Sequence, residues 1–256
     1  MLGAIIGDII GSRFEFNNTH SIDFELFTPE CDFTDDTVCT IAVADALLKG
    51  IPFGDSLHSW CRRYPYPKGA YGGSFTRWIH DDNPHPYHSF GNGSAMRVSP
   101  CGWISRDREI VLRKACESAE CTHNHPEGIK GALCVADCMY HARTGNGMSR
   151  LIDLATKEYG YNLEMTCDSI RKTNSFNETC QVTVPQAIVC FLESTDFESA
   201  IRLAVSIGGD SDTIAAITGS IAEAYYGIPE HIKNSAFEYL PGEFLSIVHR
   251  FKKMTS

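Results

Sequence analysis

The sequence predicts an all-α protein. Apolar residues recur at three- and four-residue spacing over helical lengths, as in Ile214, Ile217, Ile221 and Ala224. Hydroxyl and acidic residues stand just before such runs, as in Thr34-Asp35-Asp36-Thr37 and Asp210-Ser211-Asp212-Thr213, where helices start. Alternating strand patterns are few. With no repeat, low-complexity tract or linker, residues 1–256 read as one domain.

The elements follow in order. Residues 1–16 read as a helix carrying Gly3, Gly7 and Gly11 every fourth position. Glycine in a helix interior costs about 1 kcal/mol relative to alanine, so this spacing implies close backbone approach to a neighbour. On a helix of that length Asp8, Ser12 and Glu15 share another face. Residues 17–35 are a polar connection. Residues 36–49 form a helix without a clean apolar stripe, hence one buried on most sides. Helices are expected at 54–63 and 75–79, with Pro- and Gly-rich loops at 64–74 and 81–88. Further helical patterns cover 107–120, 127–142, 149–157, 184–194, 197–206, 214–226 and 242–253. Residues 160–183 carry no clear period.

Composition narrows the function classes. A hydrophobic content of 43% supports a sizeable core, yet no run reaches the ~20 apolar residues of a membrane helix. The apolar start lacks a basic lead and is broken by Asp8, so it is no secretory signal. A cytoplasmic location is expected. A net charge of −10 argues against coating nucleic acid. It also opposes an anionic ligand, unless bound cations reverse the local sign. The 11 cysteines are an odd number in apolar segments and read as reduced thiols. Cys116, Cys121, His123 and His125 do not follow a standard zinc spacing.

The two acidic helix starts carry the chemistry. Each has paired carboxylates and hydroxyls ahead of a buried run. Such residues serve either as helix caps or as ligands of hard cations. Capping explains one carboxylate of each pair but not its neighbour. Two such starts, far apart in sequence, suggest one shared site with more than one divalent ion.

Taken together, five motifs are similar to those of the ADP-ribosylglycohydrolase family, of the dinitrogenase reductase-activating type. They are Gly3-Ala-x-x-Gly-Asp-x-x-Gly-x-x-x-Glu15, Thr34-Asp-Asp-Thr37, Gly91-Asn-Gly-x-Ala-Met-Arg97, Thr122-His123 and Gly208-Gly-Asp-x-Asp-Thr213. They occur in the family's order and cover nearly the whole chain. The resemblance implies one compact domain of orthogonally packed helices. It implies two divalent cations, Mg2+ or Mn2+, held by Thr34, Asp35, Asp36, Asp210, Asp212 and Thr213. Glu15 would close on the metal site, and Glu15 or Asp35 would transfer protons. Asp8 would support the surrounding structure. Tyr71, Gly72, Gly73 and Ser74 would hold a diphosphate through backbone amides. Ser89, Phe90, Asn92 and His123 would face the substrate. Tyr64, Tyr66, Tyr71 and Trp78 are either a stacking surface for adenine or core.

The implied activity is hydrolysis of the glycosidic bond between ADP-ribose and an acceptor, with arginine favoured over serine. The expected partner is an ADP-ribosylated protein or small ADP-ribose conjugate, with nucleic acid only as a modified substrate. A monomer is expected. Two other readings stand beside it. One is a non-catalytic, crystallin-like family member, against which all six metal-triplet side chains speak. The other is a two-metal phosphoesterase, against which the lack of histidine in either acidic motif speaks. The loops 17–32 and 80–88 are expected to face the acceptor.

Overall fold

The computed structural model describes residues 1–255. The chain opens with α1 (Leu2–Gly11), α2 (Asp35–Lys49), α3 (Phe53–Arg63) and α4 (Gly73–His80). Two short helices follow, α5 (Gly93–Met96) and α6 (Ser99–Trp103). Then come α7 (Arg108–Glu120), α8 (Pro126–Arg143), α9 (Met148–Asp153) and α10 (Cys167–Thr173). The last are α11 (Cys180–Leu192), α12 (Phe197–Ser206), α13 (Ser211–Tyr226), α14 (Glu230–Phe237) and α15 (Gly242–Thr255). A π-helical turn, Leu154–Glu158, continues α9. Among the described residues there is no sheet, only isolated bridges joining Thr34 to Lys68 and Gly91 to Thr179. No helix there is long and apolar enough to cross a membrane.

The centre is the pair α1 and α13. Every residue of α1 is buried, and α13 also packs on α8, α11 and α12. The glycine spacing is what lets α1 in. A Cβ on Gly3 would lie 2.2 Å from Gly219 O, one on Gly7 2.1 Å from Ala215 O, and one on Gly11 2.5 Å from Asp212 Cα. These are contacts no side chain survives, so the two helices touch backbone to backbone. α2 is buried from Asp36 to Ala46, as its missing stripe predicts. The two acidic helix starts are thereby brought to the same end of the core.

Several boundaries differ from expectation. The first helix ends at Gly11, not residue 16. Ser12 Oγ donates to Ile9 O (2.9 Å), and Phe14 N turns back to Gly11 O (2.8 Å) rather than to Ile10 O, so the helical ladder stops there. Glu15 therefore lies beyond the helix and shares no face with Asp8. α4 begins earlier, so Gly73 and Ser74 are its first turn. α11 begins at Cys180 and holds Pro185 inside it. The short α5 and α6, the Thr166-capped α10 and α14 have too few apolar repeats to be read from sequence.

Candidate active site

The site is built where α2, α13 and α4 start. Asp8, on α1, organises the first of these. Its Oδ1 accepts from Thr34 Oγ1 (2.7 Å), and its Oδ2 accepts from Thr34 N (3.0 Å), Thr37 N (3.1 Å) and Thr37 Oγ1. Thr34 Oγ1 in turn accepts from Asp36 N (3.2 Å), which caps α2. Asp8 thus spends its oxygens on the helix start and leaves Asp35 and Asp36 free to face outward from it.

Asparagines from otherwise featureless segments hold the second helix start. Gly208 and Gly209 both have positive φ, 71° and 78°. Asn18 brackets this turn, accepting from Gly209 N (2.9 Å) and donating to Gly209 O (2.9 Å). Asn174 Nδ2 donates to Gly208 O (2.9 Å). The turn delivers Asp210 as the residue before α13, yet its carboxylate caps nothing. Asp210 Oδ2 instead accepts from Asn92 Nδ2 at 2.6 Å.

The two starts then meet. Thr213 Oγ1 donates to Asp36 Oδ1 (3.3 Å). Glu15, Asp210 and Asp212 each place a carboxylate oxygen within 4.8 Å of the others. Like charges at that spacing in a buried site repel strongly. Burial, then neighbouring carboxylates, push Asp36 and Asp212 well above the usual range, and burial, then Cys39 and the carboxylates, do the same to Asp35. Burial raises Asp210 to about 7. Burial, then Asp212 and Asp8, raise Glu15 to about 8, and burial raises Asp8 to about 6.

Three oxygens in this cluster, Glu15 Oε2, Asp36 Oδ2 and Asp212 Oδ1, are buried with no hydrogen-bond partner among the described residues. Buried acceptors are normally satisfied. Oxygen-only donors of this kind suit a hard divalent cation, so the residues present fit a bound metal ion. The cysteines and histidines do not gather in this way. Thr122 Oγ1 lies 2.7 Å from His123 Nδ1, His125 Nδ1 accepts from Glu127 N (3.1 Å), and Cys121 Sγ donates to Ser118 O (3.4 Å).

These carboxylates floor a cavity of about 460 Å3, in the size range of small-ligand sites. The sequence-derived residues Glu15, Asp35, Asp36, Asp210, Asp212 and Thr213 line it, as do Tyr71, Gly72, Gly73, Ser74, Ser89, Asn92 and His123. Thr34 does not, being fully buried behind Asp8. Phe90 does not either. It lies in an adjoining hollow of about 470 Å3, 45% exposed, with its ring centroid 5.3 Å from that of His125.

Lining the same cavity as the acids, α4 starts with no capping side chain among the described residues. Gly72 and Gly73 have nothing within 4 Å of an added Cβ, so packing does not require them. An uncapped helix start with open glycines offers free N–H groups to an anion. The aromatic set divides. Trp78 packs in the core against Phe75, Tyr64 is partly buried against Phe244 of the core, Tyr71 is nearly buried at the cavity wall, and Tyr66 is 93% exposed.

Phe16, Phe176, Glu178, Tyr87 and Arg97 also line the cavity and were not expected there. Arg97 had a signal, as the last residue of the Gly-Asn-Gly-Ser-Ala-Met-Arg stretch, and Tyr87 lies in the loop 80–88 expected to face the acceptor; Phe16, Phe176 and Glu178 had none. Phe16 and Phe176 have ring centroids 5.8 Å apart and are 74% and 45% exposed.

The profile of the ADP-ribosylglycohydrolase family matches residues 1–254. The chain belongs to the ADP-ribosylglycohydrolase family. ADP-ribosylhydrolase ARH3 of Homo sapiens is 26% identical over 96% of this chain and 90% of its own length. The ADP-ribosyl-[dinitrogen reductase] glycohydrolase of Rhodospirillum rubrum is 24% identical over 90% of this chain and 85% of its own. A solved ADP-ribosylglycohydrolase-related protein complex has the same fold, with TM-score 0.75 at 22% identity, covering 100% of this chain and 96% of that one.

Proposed function

We propose that this ADP-ribosylglycohydrolase family member is a metal-dependent hydrolase of the glycosidic bond between ADP-ribose and an acceptor. Family and relatives support ADP-ribosyl hydrolase activity. The acceptor is a modified protein side chain, arginine in preference to serine, or a related ADP-ribose conjugate. The observation that carries the reading is the pairing of two unlike surfaces in one cavity. That cavity is lined both by the acids with unpartnered oxygens, Glu15, Asp36 and Asp212, and by the uncapped start of α4.

Asp35, Asp36, Asp210, Asp212 and Thr213, supported by Thr34, would hold two divalent ions, Mg2+ or Mn2+. When bound, such ions supply charge that grips ribose hydroxyls and lowers the pKa of a water. The amides of Gly72, Gly73 and Ser74 hold the diphosphate. Asn92 and His123 orient the sugar. Carboxylates around the sugar favour the positive charge that develops on it as the bond breaks. Glu15 and Asp35 reach the cavity and serve proton transfer.

The test is release of ADP-ribose from a panel of arginine-, serine- and nucleic-acid-linked conjugates, with magnesium or with chelator. Magnesium-dependent release, fastest from arginine, is expected. Absence of turnover across the panel would contradict a catalytic role.

A further inference from the structure

We propose that Arg97, acting through the Thr122 hydroxyl, is a positioning residue that fixes His123 as one neutral tautomer with its N–H on Nε2. Arg97 is 1% exposed, yet among the described residues it has no carboxylate partner. Its Nη2 donates to Ser118 O (2.9 Å), to Thr122 Oγ1 (2.7 Å) and, at 3.9 Å, to Cys121 Sγ. Thr122 is fully buried, and its Oγ1 lies 2.7 Å from His123 Nδ1.

The direction of these bonds follows from donor chemistry. Arginine can only donate, so Thr122 Oγ1 accepts from it. The hydroxyl has one hydrogen; His123 Nδ1 lies 2.7 Å from the oxygen, and the other acceptor beside it is the Cys121 sulfur, a weak acceptor whose own S–H is turned to Ser118 O. If Nδ1 carried the proton instead, the buried hydroxyl hydrogen would have only the weakly accepting sulfur, at a cost toward the low end of about 1–3 kcal/mol. Nδ1 therefore accepts, and the ring's proton sits on Nε2. Burial, then the positive charge of Arg97, also keep the ring from gaining a second proton.

Nε2 faces the Gly91–Gly93 turn, which lines the cavity together with His123. A Cβ on Gly93 would lie 3.0 Å from it, and one on Gly91 3.5 Å, so these glycines leave the ring its space. Nε2 makes no hydrogen bond within the described residues. The outcome is a fixed N–H donor facing the ligand, suited to a ribose hydroxyl or phosphate oxygen. That last assignment rests on the proposed function; the tautomer does not.

The experiment uses ligand-free protein labelled with 15N-histidine. Long-range proton–nitrogen spectra distinguish a pyrrole-type Nε2 from a pyridine-type Nδ1. Wild type at neutral pH should show protonated Nε2 and bare Nδ1 for His123. Thr122→Val and Arg97→Met should move His123 toward a tautomer mixture. Thr122→Val should also weaken ADP-ribose binding about threefold to tenfold. Thr122→Ser should restore both. Should Arg97→Met fail to fold, the Thr122 pair still decides. A wild-type ring protonated on Nδ1, or Thr122→Val with unchanged tautomer and affinity, would overturn the proposal. A wild type with the Nε2–H signature that binds no ADP-ribose would uphold the relay and sink the functional reading.

Discussion

Asn92 Nδ2 lies 2.6 Å from Asp210 Oδ2. This bond joins the Gly91-Asn-Gly93 turn to the second acidic helix start. Asn92 N also donates to Glu178 O (2.7 Å), and its Nδ2 donates to Thr183 Oγ1 (3.0 Å), so the amide is held from several sides. Asp210 is thereby oriented without spending its carboxylate on capping α13.

Asn92→Ala should therefore leave the fold intact but let Asp210 turn. Loss of about tenfold or more in kcat/KM at saturating magnesium is expected, consistent with a hydrogen bond to a charged group of about 1.5–3 kcal/mol. Asn92→Asp should be worse, because it sets a further carboxylate against Asp210. Steady-state assays of both variants check this. Asn92→Asp with wild-type activity would remove Asn92 from the site.

Asp212→Asn should hold or raise the melting temperature of the metal-free protein, since it relieves repulsion with Asp210 and Glu15. It should also abolish stabilisation by magnesium, which for a binding protein is about 2.7 kcal/mol at a hundred times Kd. Thermal scans with and without magnesium read both effects. A metal-free variant that unfolds would recast Asp212 as structural.

The metal-free protein should lose stability as pH rises. Glu15 is raised to about 8 and Asp210 to about 7, so the folded state binds protons that the unfolded state releases near pH 4–5. Their contribution is complete below that range and is lost on rising through about pH 8. Tm without metal should thus fall between pH 5 and pH 8, and magnesium should flatten the fall. Binding of magnesium at pH 7 should release protons, which calorimetry in buffers of different ionisation enthalpy measures.

Gly7→Ala should be severe. Its Cβ would meet backbone, Ala215 O at 2.1 Å, and neither helix can yield without moving an acidic start. A loss of about 3 kcal/mol in urea unfolding is expected. Gly72→Ala, with open space around it and φ of −55°, should leave stability unchanged.

Much of this was legible because it is local. The spacing of Gly3, Gly7 and Gly11 announces a helix pressed on backbone, and α13 is what it presses on. The paired carboxylates at Asp35-Asp36 and Asp210-x-Asp212 announce a shared site because capping cannot use them all. What was illegible is tertiary. Asn18 and Asn174 hold the Gly208-Gly209 turn from segments with no period of their own. The end of α1 is set by the Ser12 side chain and the turn of Phe14 N back to Gly11 O rather than by a helix breaker. Phe176 and Glu178 reach the cavity beside the bridge between Gly91 and Thr179, a pairing that only the folded chain creates.

The central claim is that the acidic cluster and the start of α4 act as one site, in which cations and ADP-ribose bind together. Calorimetric titration of ADP-ribose with and without magnesium tests it most directly. Magnesium should tighten ADP-ribose, and ADP-ribose should tighten magnesium by the same factor, because such coupling is reciprocal. AMP, which lacks the distal ribose, should bind more weakly and show little coupling. ADP-ribose affinity that is the same with magnesium and with chelator, or no binding at all, would contradict the claim.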